Sequence, residues 1–134
     1  MRKLTKKGII GINEESIIND GGNFMPPNNL LNESNLDYLI DIVDSEMFGE
    51  PLYAKIWDKA AVYFFNIICN HIFSDGNKRT GLAAALIYLE AHSFQLKDEI
   101  TEDILYDFVM KVASGESTLD ECREWFKENI TPFS

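Results

Sequence analysis

The chain has 134 residues, 46% of them hydrophobic, which suits one domain spanning 1–134 around a single buried core. Its formal net charge is −10 and its pI is near 4.5, so it has few cations from which to build the basic face that nucleic-acid backbones require, and no nucleic acid is expected as primary ligand. No apolar run reaches the roughly 18 residues of a membrane span, so a cytoplasmic protein without a membrane anchor is expected.

Met1 to Lys7 is basic through Arg2, Lys3, Lys6 and Lys7, and the Ile9 to Ile12 stretch behind it is too short for a signal-peptide core. Asp20 to Glu33 breaks the helical spacing seen elsewhere. Gly21, Gly22, Pro26, Pro27 and several asparagines make it a loop or a short extended hairpin over the fold, centred on residues 22–31. Leu36, Leu39, Ile40, Val43 and Met47 then form one apolar stripe at helical spacing. Pro51 is placed to open the next helix near its first turn. Tyr53 to Asn70 reads as a central helix buried on most sides, with its charges confined to Lys55, Asp58 and Lys59. A second core helix, Asn77 to Ala91, carries Ala83, Ala84 and Ala85, whose small side chains permit close packing. Two amphipathic helices follow, one through Ile104, Leu105, Phe108, Val109 and Val112, the other through Leu119, Cys122, Trp125 and Phe126. Ser114 and Gly115 turn between them, and Thr118 with Glu121 predicts a capping box. Cys69 and Cys122 show neither pairing nor metal spacing and read as inert thiols. His92, behind the second core helix, reads as structural. The predicted fold is all-α, a compact bundle of about six helices.

The stretch from His71 to Gly81 stands apart. It sets a histidine, a carboxylate, a Gly-Asn turn and two adjacent cations between two long apolar runs. Asp75 to Lys78 form the start of the second core helix, whose first N–H groups lack internal partners and, with the helix dipole, attract anions. Gly76 permits positive φ and close approach to an anion. Asn77 can cap the helix or donate to a phosphate oxygen. Lys78 and Arg79 add charge, and Arg79 can grip an oxygen pair. A di- or triphosphate is the natural ligand. Asp75 beside such an anion calls for a divalent cation between them, and Mg²⁺ binds through one or two carboxylates plus phosphate oxygens. His71 is placed to take a proton from an attacking hydroxyl. Phe73 is expected to anchor the loop in the core.

These residues resemble the signature of the Fic/Doc superfamily, His-x-Phe-x-(Asp/Glu)-Gly-Asn followed by a basic residue. The resemblance runs from about Asn35 to Asn129, is weaker through the first 30 residues, and is nearest to the Doc, or death-on-curing, branch, where Asn-Lys-Arg-Thr is typical, as at Asn77 to Thr80. It implies that His71 is the general base acting on a target Ser, Thr or Tyr hydroxyl. It implies that Asp75 holds Mg²⁺ against the phosphates of ATP, and that Ser74, Gly76, Asn77, Lys78 and Arg79 form the nucleotide- and phosphate-binding set. Gly22, Asn23, Phe24 and Met25, within the Gly22 to Leu31 stretch, would match the flap that holds a target peptide strand-like across the site.

Fic adenylyltransferases carry Gly-Asn-Gly-Arg and a second arginine three residues on. Here Lys78 replaces the glycine and Leu82 stands where that arginine would be, while Gly76 is the Fic-like choice. The resemblance therefore implies a Doc-like kinase toxin that phosphorylates a target such as elongation factor Tu. The alternatives are AMP transfer of the Fic kind or a catalytically silent nucleotide-binding module. Self-inhibiting Fic proteins carry Ser/Thr-x-x-x-Glu-Gly/Asn, and the nearest stretch here, Ser16 to Gly21, has Asp20 for the glutamate. An external, Phd-like antitoxin is expected as partner instead.

Overall fold

The structure, a computed structural model, describes residues 3–133, so the Met1 and Arg2 part of the basic N-terminal run lies outside the described residues. In chain order the elements are α1 (Lys6–Asp20), α2 (Glu33–Ile42), β1 (Glu46–Met47), β2 (Glu50–Pro51), α3 (Ile56–Cys69), α4 (Asn77–Ala91), β3 (Phe94–Leu96), α5 (Glu102–Ala113), α6 (Leu119–Asn129) and β4 (Ile130–Pro132). The fold is all-α, since the strands hold only two or three residues each. Among the described residues no helix is long and apolar enough to cross a membrane.

Threonines start three of the helices. Thr5 accepts from the Gly8 N–H, Thr101 from Ile104, and Thr118 from Glu121, whose carboxylate takes the Thr118 N–H in return as the expected capping box. α3 forms the centre of the core. Ala60 to Phe64, Ile67 and Ile68 are all buried, and α3 packs against α4 and α6. The α3–α4 approach is close at Gly81, where a Cβ would stand 2.6 Å from Ile68 Cγ1 and 3.1 Å from the Phe64 carbonyl oxygen. On its other side α3 meets an aromatic stack. Phe64 lies face to face with Phe108 at 5.0 Å, Phe108 with Trp125 at 4.0 Å, and Phe126 meets Phe64 and Phe108 edge-on. β3 pairs antiparallel with β4, Gln95 opposite Thr131, and so fastens the end of α6 to the segment after α4. Burial pushes both thiols up, that of Cys122 to about 12, and both cysteines are free, in keeping with inert side chains. The His92 ring packs on Tyr88 with 4.5 Å between centroids.

The region after α2 departs from the sequence reading. α2 stops at Ile42, and Met47 is exposed on β1 instead of continuing the stripe. Pro51 does not open α3 either. It lies on β2 opposite Glu46, in a two-stranded hairpin where its missing N–H breaks no ladder beyond the edge. Phe48 and Gly49 turn that hairpin at φ 54° and 81°, which ends the helical run. α3 begins only at Ile56, where the Lys55 N–H donates to the Asp58 carboxylate at 3.3 Å. Residues 22–31 are a loop without a hairpin of their own. Their one strand-like contact is an isolated antiparallel bridge between Leu30 and Phe73.

Candidate active site

α3 ends at Cys69, the Asn70 N–H closes its last turn on the Asn66 carbonyl, and His71 follows at φ 48°. A left-handed residue just past the cap is a common helix stop, filled mostly by glycine or asparagine. The reversal at His71 leaves its imidazole at the exposed surface and sends Ile72 and Phe73 into the core, where both are buried. Phe73 thus turns the loop inward.

The loop is held by asparagines. The Asn32 side chain donates to the His71 carbonyl at 2.8 Å, and the Asn35 side chain to the Asn70 carbonyl at 2.7 Å. The Leu31 and Asn32 N–H groups both donate to the Ile72 carbonyl, and the Ser74 N–H donates to the Asn29 carbonyl at 2.9 Å. The Ser74 hydroxyl donates to Asn29 Oδ1. Asn77 closes the loop on itself, accepting from the Phe73 N–H at 3.0 Å and donating to the Phe73 carbonyl at 2.8 Å. Asn77 does not cap α4. Gly76 is the cap residue of α4, at φ 81°.

Beneath this turn lies a buried polar knot. Asn13 of α1 donates to the Asp75 carbonyl at 2.9 Å and to the Thr80 hydroxyl at 3.0 Å, and accepts from Asn29 Nδ2 at 2.9 Å. Asn13, Asn29 and Thr80 are fully buried. Sequence reasoning missed them. The available signal was spacing, because Asn13 falls midway between Ile9 and Ile17 on the one face that α1 buries.

The carboxylate of Asp75 points the other way, to the mouth of the site. It accepts from the Asn23 N–H at 2.9 Å and from the Gly76 N–H at 2.7 Å. Those two bonds, first Asn23 and then Gly76, hold it below the usual aspartate range, and the Arg79 and Lys78 charges help. It is therefore ionised at neutral pH. Gly22 lies at φ 131°, a region that favours glycine, and passes so close that a Cβ there would lie 2.8 Å from Asp75 Oδ2. Gly22 and Asn23 thus reach the motif. Phe24 is half-buried beside them and Met25 is exposed, its N–H donating to Asn29 Oδ1.

Lys78 and Arg79 are exposed on the first turn of α4. Arg79 turns back to the end of α1, donating to Ser16 Oγ at 3.1 Å and to the Gly21 carbonyl at 2.6 Å, with Asp20 at 3.9 Å. The Ser16 to Gly21 stretch, discounted on its sequence, thus touches the motif through three of its residues. Between α4 and α5, beside Lys78 and Arg79, an apolar groove of about 290 Å³ opens over Leu82, Leu105, Val109 and Met110.

The structure therefore carries an exposed histidine, an ionised carboxylate and two exposed cations on one loop and the first turn of the helix it opens. Among the described residues no group of three or more His, Cys, Asp or Glu side chains could hold a metal by itself. A single carboxylate fits a magnesium ion that takes its remaining oxygens from phosphates and water. Asp75 is the residue that would hold it.

Residues 3–89 match the Fic/DOC family. The chain is 34% identical over 85 residues to the protein named Toxin Doc of Mycolicibacterium smegmatis, a match covering 63% of this chain and 65% of the toxin, which is less than two thirds of that protein's length. It is 27% identical over 116 residues to Protein kinase doc of Escherichia phage P1, covering 87% of this chain and 86% of the phage protein. The family match takes in residues 3–30, where the resemblance read from the sequence was weaker, and stops at residue 89, in the last turn of α4.

Proposed function

From the premise that the chain belongs to the Fic/DOC family, we propose that it is a Doc-type toxin that transfers the γ-phosphoryl group of Mg-ATP to a hydroxyl side chain of a target protein. The observation that carries this reading is that one short loop, held by hydrogen bonds on both sides, runs from the exposed His71 to the N-terminus of α4. The α4 N-terminus, Lys78 and Arg79 draw the phosphates. The groove over Leu82 and Leu105 suits the flat, apolar face of a nucleobase. Ser74, Gly76 and Asn77 complete the phosphate-binding set, and Ser74 and Asn77 also hold the loop in shape. The flap, from Gly22 to Met25, receives the target segment beside Asp75.

In the transfer itself, His71 accepts the proton of the target hydroxyl as its oxygen bonds to the γ-phosphorus. The bond from that phosphorus to the β-bridging oxygen breaks, and ADP leaves. Such in-line transfer needs mainly positioning and charge neutralisation. Asp75 would hold a magnesium ion, which would supply part of that neutralisation. Lys78 and Arg79 supply the rest from the protein. Leu82, where Fic adenylyltransferases carry a second arginine, favours transfer from the γ- over the α-phosphate. The phage relative's name, Protein kinase doc, supports the same choice. By the family's example the target is a translation factor such as elongation factor Tu, and a Phd-like antitoxin restrains the protein.

The test uses purified protein and its His71→Ala variant with Mg²⁺, a bacterial lysate, and ATP labelled at either the γ- or the α-phosphate. A protein band labelled from γ-ATP alone, and lost by at least about 100-fold in His71→Ala, is expected, since general-base removal typically costs 10²–10⁴. Label from α-ATP would make the protein an adenylyltransferase. Undiminished labelling by His71→Ala would remove His71 from its role.

A further inference from the structure

On the far side of α5 from the nucleotide groove, a second and wider trough of about 600 Å³ lies between α5 and α6. The transfer reaction makes no use of it. Its floor is apolar. Ile104 is exposed there, and Phe108 and Trp125 lie stacked at 4.0 Å with their planes 6° apart. Phe108 is backed in turn by Phe64 of the core, so the floor is rigid. Ile104 to Lys111 line one wall along α5, a length of about 10 Å at the helical rise of 1.5 Å per residue. A trough this long and open is shaped for an extended object laid along it, in contrast to a closed small-molecule pocket.

The rim is predominantly acidic. Asp107, Glu124 and Glu128 are exposed along it, while Lys111 is its one cation. Two other carboxylates at the rim are engaged within the chain. Asp120 pairs with Arg123 at 3.0 Å, and Glu121 caps its own helix. An aromatic floor between carboxylate walls, on a chain of net charge −10, selects an occupant that is apolar on one face and cationic along its edges. The same walls repel an anionic lipid surface.

We propose that the α5–α6 trough docks a cationic amphipathic helix of a partner protein, its apolar face on Ile104, Phe108 and Trp125 and its lysines or arginines against Asp107, Glu124 and Glu128. This docking site is separate from the transfer site and does not depend on the reaction assigned to it.

Trp125 provides the readout. The chain has two tryptophans, so Trp57→Phe leaves Trp125 as the single reporter. A synthetic helix of leucine and lysine, with its leucines on one face, is titrated into the full chain. Two control peptides accompany it, a leucine and glutamate helix of the same pattern and a scrambled lysine peptide of the same charge. Saturable change in Trp125 emission with the first peptide alone is expected. Asp107→Lys with Glu124→Lys should weaken that binding about tenfold or more, a loss typical of removing close charge complementarity. Glu14→Lys with Asp41→Lys makes the same charge change on exposed positions of α1 and α2 and should alter it by less than about twofold. Equal weakening by both pairs, equal binding of the scrambled peptide, or no saturable signal would each overturn the proposal.

Discussion

His71 sits at φ 48°, one residue past the cap of α3, in a region that side chains with a Cβ enter at a cost of about 1–2 kcal/mol. Glycine would remove that cost and would give back about 0.4–1 kcal/mol through the greater freedom of the unfolded chain. The difference favours glycine. His71→Gly is therefore expected to raise stability by about 0.5–1 kcal/mol, or the melting temperature by about 2–5 °C, while abolishing transfer. Paired thermal melts of wild type, His71→Gly and His71→Ala decide the matter. A lower melting temperature for His71→Gly than for wild type would show that the imidazole contributes more to the fold than its backbone costs. At this scale the candidate base is a residue kept against local preference, which is how functional positions tend to announce themselves.

Among the elements, α3 and α4 carry the structure, and Gly81 sets their separation. A methyl group there would gain about 1 kcal/mol of helix propensity. It would also stand 2.6 Å from Ile68 Cγ1 and 3.1 Å from a carbonyl oxygen that cannot rotate away. Overpacking of that kind costs about 1–3 kcal/mol. Gly81→Ala is thus expected to destabilise by about 1 kcal/mol, and by no more than about 2, in urea denaturation; a stabilising result would mean that the two helices can spread at little cost. The helices α2 to α6 were legible in the sequence through their apolar stripes, the Gly-Asn turn and Thr118, whereas α1, which buries only Ile9, Asn13 and Ile17, was not assigned. α4 runs from Asn77 to Ala91 as read, and the Thr118–Glu121 box is present. The stretch from Met47 to Pro51 was misread for a physical reason. Met47 fits the helical stripe and Pro51 is a good first-turn residue, so both local signals were real. What overrode them was a hairpin closed by a hydrogen bond from the Leu52 N–H to the Ser45 carbonyl, a pairing that hydrophobic spacing does not record. The flap loop was legible as a loop, but its attachment was not. Asparagines at 29, 32 and 35 looked like ordinary turn formers, and only the folded chain shows them reaching carbonyls of the motif.

Across the whole molecule, the candidate site belongs to no one element. Asn13 joins α1, the flap loop and the start of α4 at a point fully shut off from water. Among the described residues, every buried side-chain nitrogen or oxygen has a partner. Truncating Asn13 would leave the Asn29 amide and the Thr80 hydroxyl short of theirs, at about 1–3 kcal/mol for each group left unpaired. Asn13→Ala is expected to lower stability by at least about 2 kcal/mol and to slow transfer as well, although it lies beneath the site and meets no substrate. Denaturation and the labelling assay run on one preparation test both halves. Full activity at reduced stability would show that the knot serves the fold alone.

Arg79 ties the start of α4 to the end of α1 at the surface, and it does so as a helix cap supplied from outside the helix. α1 has no basic residue in its last turn, and the Arg79 fork takes up the Gly21 carbonyl just beyond it. An anion that recruits this guanidinium exchanges one set of hydrogen bonds for another. Its apparent affinity is then a difference between two satisfied arrangements, and the loser of the exchange is the end of α1. By thermodynamic reciprocity, whatever steadies that end weakens the anion, and whatever frays it strengthens the anion, by the same factor.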